Sequence, residues 1–138
     1  MRFATNEHVP IDQPTFASAN EPRNLIGEWV IRIGVATVFI IFGSEKFSEN
    51  PASHWVRLFH EIGWGDWFRY SAGVVEVVGG LLVLIPRVVL VGLALLMATM
   101  LGAVVILVFV LKQPGNSVFP GFFLLGLIGV AVWARKNA

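Results

Sequence analysis

The chain has no cysteine among its 138 residues, and that one absence removes several chemistries. A thiol–disulfide relay, thiolate-held iron–sulfur clusters and cysteine-attached haem are excluded within it. Histidine is scarce. His8, His54 and His60 all lie outside the long apolar runs, so two axial imidazoles cannot meet inside a membrane span. No glycine-rich nucleotide loop occurs. Charge is also short: Asp, Glu, Lys and Arg make up 14 % of the residues, against about 25 % in soluble domains. A net charge of +1 gives no electrostatic case for nucleic acid.

Apolar residues are abundant, at 56 %, with a mean hydropathy of +0.74. The length fits one domain. Residues 1–24 are polar, contain Pro10, Pro14 and Pro22, and read as a disordered tail. Glu7, Asp12 and Glu21 precede the first apolar run, which argues against a signal peptide and for a retained span. Residues 25–134 read as a membrane domain with four spans, and residues 135–138 as a basic end. The first span covers about Leu25 to Phe47. Asn50-Pro51 then reads as an N-cap with proline at the first helical position. Trp55, Leu58, Phe59 and Ile62 follow at helical spacing, and Gly63 is a stop signal. This segment is too short to cross a bilayer, so it is expected to lie flat in the interface beside Trp64, Trp67, Phe68 and Tyr70. His60-Glu61 reads as exposed polar residues of that amphipathic helix.

The second span, Arg69 to Pro86 with Asp66 as its cap, carries Glu76 near its middle. An ionised side chain there costs roughly 2.5–3.5 kcal/mol on insertion scales, so it must face protein and find a partner. The paired Gly79 and Gly80 allow a neighbouring helix to approach closely. The third span, Val88 to Leu111, is uncharged, and Ala94, Ala98 and Gly102 place small residues four apart as a packing seam. Lys112 to Ser117 reads as a turn. The fourth span runs from about Val118 to Trp133. On the first span Arg32, Ala36, Phe39, Gly43 and Lys46 share one stripe. The cations could snorkel to their interfaces or face Glu76. The expected cluster, a possible ligand site, is Arg32, Lys46 and Glu76, with helix-packing positions at Gly43, Gly79, Gly80, Ala94, Ala98 and Gly102. An ion pair that fixes helix register and a functional pair that handles a proton or grips a ligand both fit. No catalytic residue and no metal site is assigned.

Three stretches resemble the DoxX and DoxX-like membrane proteins: GxxxxFxxFGxEKF from Gly34 to Phe47, FHEIGWGDWFRYSAGVVEVVGGLLVLIPR from Phe59 to Arg87, and LxxATMLGAV from Leu95 to Val104. The likeness covers roughly Leu25 to Trp133. Carried onto this chain, the family pattern marks Arg32, Gly43, Lys46, Glu76, Gly79 and Gly80. The resemblance implies a four-helix integral membrane protein. It also implies a small subunit or accessory of a redox or quinone-linked system, some relatives being subunits of quinone-linked sulfur-oxidising enzymes and others belonging to redox-stress complexes. The expectation is therefore an all-α membrane bundle with a short interfacial helix between spans one and two. No cofactor is bound by this chain alone, with a quinone as the candidate. The expected partners are lipid, other redox subunits or further copies of itself. A small transport or ligand-binding bundle and a structural assembly factor are the competing classes. Five cations on the side of the termini (Arg2, Arg23, Arg87, Arg135, Lys136) against three opposite (Arg57, Arg69, Lys112) favour cytoplasmic termini in a prokaryotic inner membrane.

Overall fold

A computed structural model describes residues 24–137. The tail assigned to residues 1–24 therefore lies almost wholly outside the described residues. The elements are α1 (Leu25–Glu45), α2 (His54–Ile62), α3 (Asp66–Leu84), α4 (Val89–Val105) and α5 (Val118–Lys136). A π-helical turn, Ile106–Val110, extends α4, and a 3-10 turn, Pro114–Ser117, leads into α5. No strand occurs among the described residues. Four segments are long and apolar enough to cross a membrane: Leu25–Glu45, Asp66–Leu84, Val89–Val110 and Pro114–Lys136. The chain is an all-α membrane bundle, with α2 as the short helix between its first two spans.

The outer surface carries side chains that water would disfavour. Ile26, Val30, Phe109, Phe122 and Leu125 are all exposed, a pattern suited to contact with lipid. Inside, Phe39, Val83, Val89, Leu93, Leu96, Met100 and Leu127 form one core. Since lipid tails are as apolar as this core, burial alone cannot hold the helices together, and close approach must do it. Glycine supplies that approach at the centre of the bundle. A Cβ on Gly43 would lie 2.8 Å from the Gly73 carbonyl oxygen, and one on Gly73 would lie 2.8 Å from the Gly43 carbonyl oxygen. Gly79 and Gly80, adjacent in sequence, serve two neighbours. Gly79 accommodates Leu96 and Gly92 of α4, while Gly80 accommodates Ala36 and Ile40 of α1. Helix α3 is thus wedged between α1 and α4.

The expected seam of Ala94, Ala98 and Gly102 is not where α4 meets its neighbours. Ala94 and Ala98 are exposed, and a Cβ on Gly102 would meet nothing within 4 Å. The stripe that packs is Gly92, Leu93, Leu96 and Met100, all buried. Leu93 and Leu96 complete the core, so the phase of α4 follows its large side chains, with Gly92 as the contact point. A Cβ on Gly92 would sit 2.7 Å from the Gly79 carbonyl oxygen.

Helix ends depart from expectation by a few residues. Asn24 caps α1 through Oδ1, which accepts from the Gly27 amide at 3.1 Å. Asn50 does not cap α2. Its Oδ1 accepts from the Ala52 amide at 3.0 Å, closing a local turn of the kind asparagine favours before proline, and the helix begins at His54. Gly63 ends α2 in the left-handed region at φ 77°. Gly65, at φ 91°, precedes α3, and Asp66 is its first residue. The end of α4 carries no glycine. The Leu111 amide reaches back five residues to the Ile106 carbonyl at 3.0 Å, Gln113 bonds to Leu107 at 2.8 Å, and Lys112 adopts φ 53°. A widened turn of this type is often found beside functional sites.

Candidate functional site: a charge pair at the edge of an apolar cavity

Lys46 succeeds the last residue of α1 and stays in a helical conformation, its amide bonded to the Gly43 carbonyl. Side chains on a helix lean toward its N-terminus, so Lys46 is directed back into the span and away from the surface. Glu76 sits mid-way along α3, on the face that carries Gly73, Gly79 and Gly80. The Gly43–Gly73 approach brings these two helices together one turn from both side chains. Lys46 Nζ donates to Glu76 Oε2 at 2.5 Å. The two residues are 3 % and 1 % exposed, a burial that lysine and glutamate reach only when paired.

An ammonium has three donor protons and needs three acceptors. The carboxylate takes one, and the Phe42 carbonyl lies at 3.5 Å. The third direction is covered by the indole of Trp55, whose ring centroid is 3.8 Å from Nζ. The negative face of an aromatic ring attracts a cation, most strongly where water is excluded. Trp55 is itself tethered, because its Nε1–H donates to Glu45 Oε2 at 2.9 Å. Glu45, Lys46, Trp55 and Glu76 therefore form one connected unit spanning α1, α2 and α3.

Arg32 does not join it. Lys46 lies fourteen positions further along the chain, a rise of roughly 21 Å at 1.5 Å per residue, beyond the reach of the side chains. Arg32 Nη2 instead donates to Glu28 Oε1 on its own helix, and its guanidinium lies 5.8 Å from the Trp29 ring centroid. Both residues of this pair are buried. The Glu28/Arg32 spacing of four is a familiar helical pairing, and it was the signal available in the sequence.

Arg69 is a second departure. Counted among the interfacial cations, it is 2 % exposed. It donates to the Ser48 carbonyl, to Asp66 Oδ1 at 3.1 Å and to the Tyr70 hydroxyl at 3.2 Å. Tyr70 in turn stacks on Phe47, centroids 5.8 Å apart. Arg69 thus ties the segment leaving α1 to the first turn of α3 and fixes where α2 departs. The Asp66/Arg69 spacing was legible, but its target, a backbone carbonyl 21 residues away, was not.

The charge pair borders a cavity of about 920 Å³, within the size range of small-molecule sites. Phe42 of α1 and Lys46 just beyond it, Phe68, Ala72, Val75 and Glu76 of α3, Thr99, Met100 and Ala103 of α4, and Phe119 and Phe122 of α5 contribute to its wall. The apolar face of α2 (Trp55, Leu58, Phe59, Ile62) completes it. That face therefore turns inward over the bundle and not down into a headgroup layer, with Phe59 buried against Phe68 at a centroid separation of 5.6 Å. Ala98 and Gly102, expected to pack against a helix, line the same cavity. Exposed Ser71, Ala98 and Phe122 belong to its margin, so it opens between helices at the level of the spans. Apart from Lys46, Glu76, His54, Ser71, Thr99 and Asn116, the lining is almost wholly apolar. No group of three or more metal-binding side chains gathers among the described residues.

No curated protein and no solved structure gives a significant match to this chain. The family model described as the DoxX-like family matches residues 30–130. The match takes in Arg32, Lys46, Trp55, Glu76, the second and third spans and most of the first and fourth, which is most of the sequence, and the chain belongs to the DoxX-like family.

Proposed function

We propose that this protein is a small membrane subunit or accessory protein of a redox, quinone-linked system, and that its cavity receives the head of a lipid-soluble quinone. The observation that carries the reading is the buried Lys46–Glu76 pair at the end of an apolar cavity of about 920 Å³ that opens between membrane helices. A quinone needs such a combination: apolar space for ring and tail, a donor for a carbonyl oxygen, and a carboxylate able to exchange a proton with the hydroxyl of the reduced form. Lys46 supplies the first polar group and Glu76 the second. Electrons would pass to or from a partner, since the chain itself offers no thiol or cluster ligand. A transporter would be served by a polar, water-lined path, and a purely structural factor by a fully packed charge pair; the apolar cavity favours neither.

The same reading places the protein in a prokaryotic inner membrane with both termini cytoplasmic, supported by the balance of cations between its two sides. The test of function is binding. The purified protein in lipid nanodiscs is titrated with decylubiquinone, with quenching of tryptophan emission as the readout. Saturable quenching is expected, weakened roughly tenfold or more by Lys46→Met, the scale of losing one charge-assisted hydrogen bond. Quenching that rises linearly with probe and is identical in Lys46→Met would sink the proposal.

A further inference from the structure

Trp55 meets the charge pair through two features of one side chain. Its ring face covers the third donor direction of Lys46, and its N–H is held by Glu45, the residue beside that lysine. The same ring meets Phe42, with centroids 6.1 Å apart. Without the indole, one proton of a buried ammonium would point into an apolar cavity, an expensive arrangement. Trp55 is carried by α2, which is only nine residues long. That helix is flanked by the Asn50–Ser53 turn and by Gly63 and Gly65, both at positive φ. The inner face of α2 spans the cavity and does not fill it.

We propose that Trp55 is the positioning residue of this site. Anchored by Glu45, it holds the Lys46 ammonium on Glu76 and occupies the place that an acceptor oxygen of an incoming ligand takes over. The inference deepens the proposed function by specifying the ligand class: an apolar body whose head carries a hydrogen-bond acceptor, a carbonyl oxygen above all. A head bearing only donors would leave Lys46 uncovered once the ring is displaced. It rests on the cavity being a ligand site, whereas the positioning role itself rests on the geometry around Lys46.

The chain has three lysines, Lys46, Lys112 and Lys136, and the last two are exposed. Competitive acetylation of the detergent-solubilised protein with acetic anhydride, with mass spectrometry as the readout, therefore measures Lys46 against two internal standards. In the parent, Lys46 should react far more slowly than the other two. Trp55→Leu should speed it roughly tenfold, as expected for removing a desolvated cation–π contact, while Lys112 and Lys136 keep their rates. Trp55→Phe retains a ring but not the N–H, and should fall between Trp55→Leu and the parent. Glu45→Ala, at an exposed position, leaves every core side chain in place and should behave like Trp55→Phe. An unchanged Lys46 rate in Trp55→Leu overturns the assignment. Should that variant speed all three lysines together, Trp55→Phe decides: a selective rise at Lys46 upholds the assignment and no rise overturns it. The last arm adds saturating decylubiquinone to Trp55→Leu. Slowing of Lys46 towards the parent rate supports the quinone head as the replacement acceptor. No slowing, with the selective acceleration intact, removes the quinone reading and leaves the positioning role standing.

Discussion

At the scale of single residues, the two buried ion pairs make different demands. Glu28 and Arg32 are four apart on one helix, so they find each other as soon as α1 forms. Lys46 and Glu76 are thirty apart and meet only once α1 and α3 have docked. Removing one member of a buried pair leaves an uncompensated charge and typically costs about 3–5 kcal/mol, whereas neutralising both can be nearly harmless. Glu76→Gln should accordingly lower the melting temperature in detergent, and adding Lys46→Met should recover much of the loss. Arg32→Gln in the Glu76→Gln background should instead give additive losses, because the two sites share no partner. Thermal unfolding of the parent, Glu76→Gln, Arg32→Gln and the two double variants by circular dichroism checks both statements. Rescue by Arg32→Gln in place of Lys46→Met would contradict the Lys46–Glu76 pairing.

At the scale of elements, stability should depend on which glycines stand at contacts. Gly92 and Gly126 are both helical, yet a Cβ on Gly92 would meet the Gly79 carbonyl at 2.7 Å while one on Gly126 would meet nothing within 4 Å. Gly92→Ala should therefore destabilise by about 1–3 kcal/mol through overpacking. Gly126→Ala should be neutral or slightly stabilising, since alanine is the better helix former. Melting temperatures in one detergent separate the two; equal effects would mean that α3 and α4 approach each other less tightly than the Gly79–Gly92 distance requires. The contrast also shows where the sequence could be read and where it could not. The four spans, the stop at Gly63 and the importance of Gly43, Gly79 and Gly80 are legible from local composition and spacing. Ala94, Ala98 and Gly102 satisfy the same small-residue spacing, but helix phase is set by the partner surface. The large side chains of Leu93 and Leu96 claim the core, leaving Ala94 exposed and turning Ala98 and Gly102 toward the cavity. Trp55 is legible as part of an apolar face. Its placement over Lys46 is not, because it depends on how the turn at Asn50–Ser53 and the Arg69 tie aim α2.

At the scale of the whole molecule, four spans place the two ends of the bundle on one side of the membrane. The proposed orientation predicts that a reporter fused after Ala138 is active only in its cytosolic form. Activity of a periplasmic reporter at that position would reverse it, and would put the Trp55–Trp67 surface inside the cell. Mechanically, the helices are not held alike. α1, α3 and α4 touch through backbone at Gly43, Gly73, Gly79 and Gly92, contacts with no slack. α5 makes no such glycine contact, since a Cβ on Gly121, Gly126 or Gly129 would meet nothing within 4 Å. It packs through side chains, Leu127 in the core beside α4 and, towards α1, the rings of Phe39 with Phe123 and Phe42 with Phe119 at centroid separations of 5.9 Å. Ring contacts tolerate small sliding movements that backbone contacts do not. One wall of the cavity, bearing Glu76, is therefore stiff, while the wall bearing Phe119 and Phe122 can yield. On the proposed function, such a chamber would discriminate sharply by the chemistry of the head that enters first and be lenient about the girth of the tail behind it.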